Sequence, residues 1–414
     1  MSPSAIKITD FGNPQFSPDA QAMRDAMATL APSMELTPHW LMTQASEQTG
    51  LENFGDPAFR DRLEILCTAL ANDVALSPGG VVAFGAQLTG LLKNRLLLEQ
   101  LLVDHPEIHD IEIARPIIIA GMPRTGTTHL HNLLAADPNL RALPYWESNE
   151  PILAPQERVG PDEPDPRIAR TEMGIGVVDL LCPHFKRMHE MTPEHAHEEI
   201  ALLSMDVTSM FLETLAPMPT WRDAYLATDQ TPSYSYLKTI LKALTFLRGG
   251  ERWVLKTPQH LEQLRPLLAV FPDATFVVTY RDPVAVTVST AVMLTYMARL
   301  NLETVDPMAV GGYWAARVEQ LLTGCLRDRD LLPNDQVVDV RFDEFMGNDL
   351  AIVERIYAVA GQPFTEQTRR NMEEFMATHI RGRHGGLVYD LNDFGLDAAE
   401  RREALGEYSE RFGV

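Results

Sequence analysis

The chain has 414 residues, 57 acidic against 35 basic side chains and a formal net charge of −22. Such a surplus of negative charge disfavours a nucleic acid or sulfated polysaccharide as the main partner, because polyanions are bound through broad basic surfaces; a small or neutral molecule fits better. The length calls for one large domain with an appendage or for two domains, and three widely separated cysteines, Cys67, Cys182 and Cys325, fit buried thiols in a reducing cytoplasm.

Met1 to Asp10 lack the basic and apolar regions of a signal peptide. The longest apolar stretch, Val81 to Val103, is interrupted by Lys93, Arg95 and Glu99, so no transmembrane segment and a cytoplasmic location are expected. Residues 1–110 read as helix after helix. Phe59, Leu63, Leu66 and Leu70 recur at helical spacing after the breaker Asp56-Pro57, and the leucines from Leu88 to Leu102 mark a second helix that stops at Asp104-His105-Pro106. This segment is expected to form an all-helical N-terminal cap on a main domain covering 111–414.

From Arg115 onward the pattern changes to short apolar runs separated by helical segments, which predicts an α/β fold with a parallel sheet flanked by helices. The runs are Pro116–Ala120, Trp253–Leu255, Ala274–Thr279 and Val337–Val340. Between the first two lies an insertion, about 144–250, rich in Met, Pro and aromatic residues. An insertion at the strand ends is where such folds build a second-substrate pocket. Its methionines and aromatics, Met188, Met205, Met210, Met218, Trp221, Tyr225 and Tyr234 among them, are candidates for that lining, although at helical spacing such side chains are more often core.

Gly121-Met122-Pro123-Arg124-Thr125-Gly126-Thr127-Thr128 follows the first run and precedes a helical pattern, so it reads as strand, anion-cradling loop and helix start. A nucleotide triphosphate loop would carry lysine where Thr127 stands. Here the cation lies inside the loop, at Arg124, which suits an anion of lower charge. Further on, Asp282-Pro283 marks a helix N-cap and first turn, placing Arg281 at a strand end and Ser289 about two turns into the next helix.

Taken together these segments resemble the PAPS-dependent sulfotransferases, and the bacterial branch of that family in particular. The family loop, Pro-Lys/Arg-Ser/Thr-Gly-Thr-Thr, is matched by Pro123, Arg124, Thr125, Gly126, Thr127 and Thr128, and the resemblance implies that it binds the 5′-phosphosulfate of 3′-phosphoadenosine 5′-phosphosulfate (PAPS). The family's arginine and serine that grip the 3′-phosphate are matched by Arg281 and Ser289. A late glycine loop, Arg381-Gly382-Arg383-His384-Gly385, is similar to the segment that meets the 3′-phosphate and adenosine. The implied fold is P-loop-like, and the implied reaction moves a sulfuryl group from PAPS to a hydroxyl or amine of a small acceptor. The resemblance also implies that Lys256, in Lys256-Thr-Pro-Gln-His260, stands near the transferred group with Arg124.

The general base is open between two positions. His260 is separated from Thr257 by Pro258 and Gln259, unlike the contiguous segment of cytosolic relatives. Other branches use a glutamate, and Glu199 is the leading candidate, with Glu198 and His195 behind it. A helix starting at Thr192-Pro193 would carry Ala196, Ile200, Leu203, Val207 and Phe211 on its buried face, set Glu199 at the apolar edge with a raised pKa, and turn Glu198 away. His184, His189, His195 and His197 lie close in sequence but match no recognised zinc motif, so no metal is expected. Two alternatives stay open: a P-loop small-molecule kinase using ATP and magnesium, and an inactive interaction protein that binds PAPS or adenosine 3′,5′-bisphosphate.

Overall fold

The computed structural model describes residues 3–157, 160, 163–380 and 382–414. Its centre is a four-stranded sheet in the order β2-β1-β3-β4, comprising β1 (Ile117–Gly121), β2 (Val254–Thr257), β3 (Thr275–Tyr280) and β4 (Val337–Arg341). All neighbouring strands run parallel, with Ile119 opposite Lys256 on one side and Gly121 opposite Thr279 on the other. The chain leaves β1 for one neighbour and later returns to pair on its other side, so the crevice at the carboxyl ends of β1 and β3 is the switch point where such sheets bind ligands. β1 and β3 are buried at every position. That explains their unbroken Ile-Ile-Ile and Phe-Val-Val runs, since strands covered on both faces lose the alternation of half-exposed ones. Each fully buried Ile or Val there contributes about 1.5–3 kcal/mol of transfer free energy.

The four apolar runs fall on the four strands with shifts of a residue or two at their ends. β2 extends to Thr257, past its apolar residues, because Lys256 and Thr257 still pair with Ile119 and Ala120. Residues before 111 carry helices Pro18–Leu30, Pro38–Thr49, Phe59–Asn72 and Pro78–Asp104, each except the third opened by a serine or threonine cap followed by proline. Their leucines and phenylalanines share one apolar cluster with Leu237 and Leu241 of the insertion and with Ile118 and Phe276 of the sheet. Among the described residues no helix is long and apolar enough to cross a membrane.

One expected helix is absent. The stretch from Thr192 does not coil; the helix there runs only from Ile200 to Ser204, followed by a separate Phe211–Leu215 turn. Backbone groups that would have made the first turn are taken elsewhere. The His197 amide donates to Leu143 O (2.7 Å), the Tyr145 amide to His195 O (3.1 Å), and the Ala196 amide to Asn132 Oδ1 (2.9 Å). These long-range bonds, with the Pro144–Ala196 bridge and a turn from Thr192 to His195, hold residues 192–197 out of helix and against the helix that follows β1.

Candidate active site

β1 ends at Gly121, and the helix Thr127–Ala135 begins behind the loop. Two left-handed residues shape the turn, Arg124 (φ 71°) and Gly126 (φ 85°). Gly121 is required by close approach: a Cβ there would stand 1.9 Å from Thr279 Oγ1. The same hydroxyl lies 2.7 Å from Thr125 Oγ1, which also lies 2.6 Å from Met122 O, so the loop is locked onto β3 through a buried pair of threonines. Thr127 is buried at the first turn of the helix, whose N-terminal end follows the loop as an anion site would need.

The cations converge on this loop. Arg124 donates to Met188 O and, at 3.3 Å, to the Tyr389 hydroxyl, while its buried Nε has no partner among the described residues. Arg281 follows the end of β3, donates to Arg124 O and stacks over Phe342 at 4.0 Å. Burial and the neighbouring Arg124 charge lower its pKa. Guanidinium groups gathered in this way are suited to recognising an anion. Ser289 lies in the helix Pro283–Ala298, as expected from the Asp282 cap, and its buried hydroxyl donates to Val286 O in the preceding turn.

The late loop is held by an acid. Arg383 forms a two-pronged ion pair with Glu190, and His384 Nε2 lies 3.0 Å from the same carboxylate. Gly382 and Gly385 are left-handed (φ 69° and 86°), and a Cβ on Gly385 would meet Arg187 Nη1 at 2.4 Å. Arg381 lies outside the described residues. Expected as a phosphate ligand, Arg383 is engaged by Glu190 in this structure.

Beside the loop, at the end of β2, stands a second group. Lys256 Nζ is almost fully buried and ion-paired with Glu198, whose side chain retains 17% of its exposure. Glu199 is fully buried: Oε1 accepts from His260 Nε2 at 2.5 Å, and Oε2 accepts from the Lys256 amide at 2.8 Å. His260 Nδ1 faces the Tyr234 hydroxyl at 2.9 Å. The expectation for Glu199 is therefore corrected. Burial pushes its carboxyl up, but His260 and the two hydrogen bonds together hold it below the ordinary 4.5. Glu198, expected to point away, is the carboxylate that meets Lys256, because the chain here is irregular rather than helical.

Tyr389 was not singled out in the sequence, and Tyr234 only as a candidate for the pocket lining; neither belongs to a motif, and each is recognised by what its hydroxyl touches. Met205, Met210, Met218, Trp221, Tyr225 and Tyr234 are buried core, leaving Met188 as the contact of that set with Arg124. His129, which follows the loop, packs near Phe345 and Phe375 with Asp349 at 3.5 Å. His189, His195 and His197 gather despite the absence of a zinc motif, with one nitrogen of each within 4.8 Å of the others.

A parallel sheet with an anion loop at its switch point, one arginine in that loop, a second after β3 that reaches it and a lysine at the adjoining strand end define a P-loop-like group-transfer enzyme. Residues 116–366 match the sulfotransferase family, so the chain belongs to that family and is a transferase. It is 24% identical over 316 residues to the omega-hydroxy-beta-dihydromenaquinone-9 sulfotransferase Stf3 of Mycobacterium tuberculosis and of Mycobacterium bovis, an overlap of 72% of this chain and 75% of theirs. Among solved structures it is similar to sulfotransferase STF9 from Mycobacterium avium, with a TM-score of 0.81, 25% identity and coverage of 92% of this chain and 97% of that one. Sulfotransferase STF1 from Mycobacterium tuberculosis gives a TM-score of 0.71 at 26% identity, covering 88% of this chain and 96% of that one.

Proposed function

We propose that this sulfotransferase takes its sulfuryl group from PAPS and delivers it to a hydroxyl or amine of a small, partly apolar acceptor. The observation that carries the donor assignment is the meeting of Arg124, inside a lysine-free anion loop, with Arg281, which follows β3 and donates to Arg124 O, with the Arg124 Nε buried and unmatched among the described residues. Their spacing at the strand ends fits an anionic donor, and the helix amides at Thr127 and Thr128 add to the cradle. Bound PAPS supplies an activated sulfuryl group, with adenosine 3′,5′-bisphosphate as the leaving portion. Arg124, Arg281 and Ser289 would hold that donor, and the loop at Gly382 to Gly385 would contribute once Arg383 exchanged Glu190 for phosphate.

The residues divide the remaining work. Lys256 and Arg124 offset the negative charge that grows on the leaving side, a role cations fill without magnesium. We assign proton removal from the acceptor to Glu198, which is exposed enough to meet it and already touches the Lys256 ammonium. Glu199 and His260 satisfy each other inside the protein and act as positioning residues, fixing the Lys256 backbone from below.

The acceptor side is apolar. Met188 and Tyr389, the partners of Arg124, belong to a cluster with Phe11, Tyr296 and Phe394, on which Phe185 and Leu387 are only partly covered. The Stf3 relatives are named for a hydroxylated menaquinone, and an acceptor with an apolar body and a terminal hydroxyl fits this surface. Glu198→Gln should lower kcat by about 10²- to 10⁴-fold while leaving donor affinity unchanged. Turnover near the wild-type level would remove Glu198 from the role.

A further inference from the structure

The loop that carries Glu198 also presents three imidazoles toward one point. His195 Nδ1 lies 2.6 Å from Thr192 O and 3.1 Å from the Thr192 amide nitrogen, so the Thr192 backbone anchors that ring nitrogen. His195 Nε2 faces His197 Nδ1, 3.1 Å away. One nitrogen of His189 completes a set lying within 4.8 Å. The rings are not stacked on one another: His195 and His197 stand at 89°, and His189 and His195 at 82°.

This arrangement is braced from outside. The His197 amide is held by Leu143 O and the Ala196 amide by Asn132 Oδ1, while Tyr145 lies 4.4 Å from the His197 ring, centroid to centroid. His195 thus has its second nitrogen held by the Thr192 backbone, an outer contact of the kind that orients histidine ligands in metal centres. All three side chains are half-buried. The surrounding charge is mixed: Lys256 and Arg124 lie within electrostatic reach of His189. Glu198 offsets the first, and Glu190, next in sequence to His189, adds a carboxylate that Arg383 holds.

We propose that His189, His195 and His197 form a binding site for a borderline transition-metal dication of the Zn2+ class, adjoining the transfer centre. Ligand nitrogens about 2.0–2.1 Å from zinc in a tetrahedron lie roughly 3.3 Å apart. The His195–His197 pair already has that spacing, and rotation of His189 closes the third side. Imidazole nitrogens suit zinc, copper, iron and nickel, and oxygen-seeking magnesium or calcium would not be held here. Three protein ligands leave a fourth position for an outside oxygen, the pattern of catalytic rather than structural zinc.

Calorimetric titration of the full chain with Zn2+ alone tests the site. One Zn2+ should bind per chain, and His195→Gln and His189→Gln should each weaken it by at least about 10- to 100-fold, while His39→Gln leaves it unchanged. In parallel, histidine-labelled wild-type protein should show Zn2+-induced imidazole nitrogen shifts confined to these three residues, a readout that does not depend on any variant folding. Equal affinity in the wild type and the triple variant His189→Gln, His195→Gln, His197→Gln, or shifts centred on other histidines, would overturn the site.

Discussion

Glu198 and Glu199 are neighbours with opposite environments, and the difference assigns their work. Glu199 spends both oxygens on protein donors and is shut away from solvent; Glu198 touches a buried ammonium and keeps an open side. Glu199→Gln should therefore lower kcat less than Glu198→Gln, and it should also change acid stability. A carboxyl held below its ordinary 4.5 in the folded state contributes stability that is complete above that value and fades as pH falls through the lower folded pKa. Thermal unfolding of Glu199→Gln followed from pH 6 to pH 3 should show a flatter acid limb than wild type, and parallel limbs would contradict the assignment. The choice between the two glutamates was not legible in the sequence. It depended on whether residues 192–199 coil, and that was decided by partners at Leu143 and Asn132, far away in the chain.

At the scale of elements, the anion loop and β3 are interlocked through Gly121, Thr125 and Thr279. Gly121→Ala would drive a methyl group into Thr279 Oγ1 and break the threonine pair. Overpacking of this kind costs about 1–3 kcal/mol, so urea unfolding should show that loss, with donor affinity falling as the loop shifts. A second brace lies behind His260. Arg317, fully buried in the helix Pro307–Asp328, pairs with Glu213 at 2.8 Å and Glu262 at 3.0 Å, and Tyr313 donates to Glu213 at 2.6 Å. Removing one partner of a buried ion pair costs about 3–5 kcal/mol. Arg317→Ala should destabilise the chain by that order in denaturant titration; a change under about 1 kcal/mol would show that the network carries little. The strands were legible because an all-apolar run between breakers has few other readings. The ion-pair network was not, since Glu213, Glu262 and Arg317 meet only when three separate segments pack.

Across the whole molecule, the sheet brings together residues distant in sequence at one crevice: Arg124 after β1, Lys256 at the end of β2 and Arg281 after β3. The motif spacing in the sequence pointed to this gathering for the donor side, where loops at strand ends follow a general rule. The proposed acceptor side depends on irregular segments near both ends of this sequence, where Ile6 bridges to Leu387 and Phe11 packs on Phe394. No periodic pattern announces such contacts. The kinase reading gives way to membership of the sulfotransferase family, and the structure adds a reason. The acid in β4, Asp339, is held by Arg329 at 2.6 Å and by the Tyr280 hydroxyl at 2.5 Å.

The most direct measurement is transfer of labelled sulfuryl from PAPS, without added magnesium, to a long-chain alcohol or hydroxylated quinone, for wild type and Lys256→Ala side by side with adenosine 3′,5′-bisphosphate binding. Label should move to the acceptor hydroxyl in the wild type, and Lys256→Ala should lose about 10²- to 10³-fold in kcat while still binding the bisphosphate. Failure of the wild type to bind that nucleotide, or full transfer by Lys256→Ala, would contradict a donor site built from Arg124 and Arg281 with Lys256 at the reacting end.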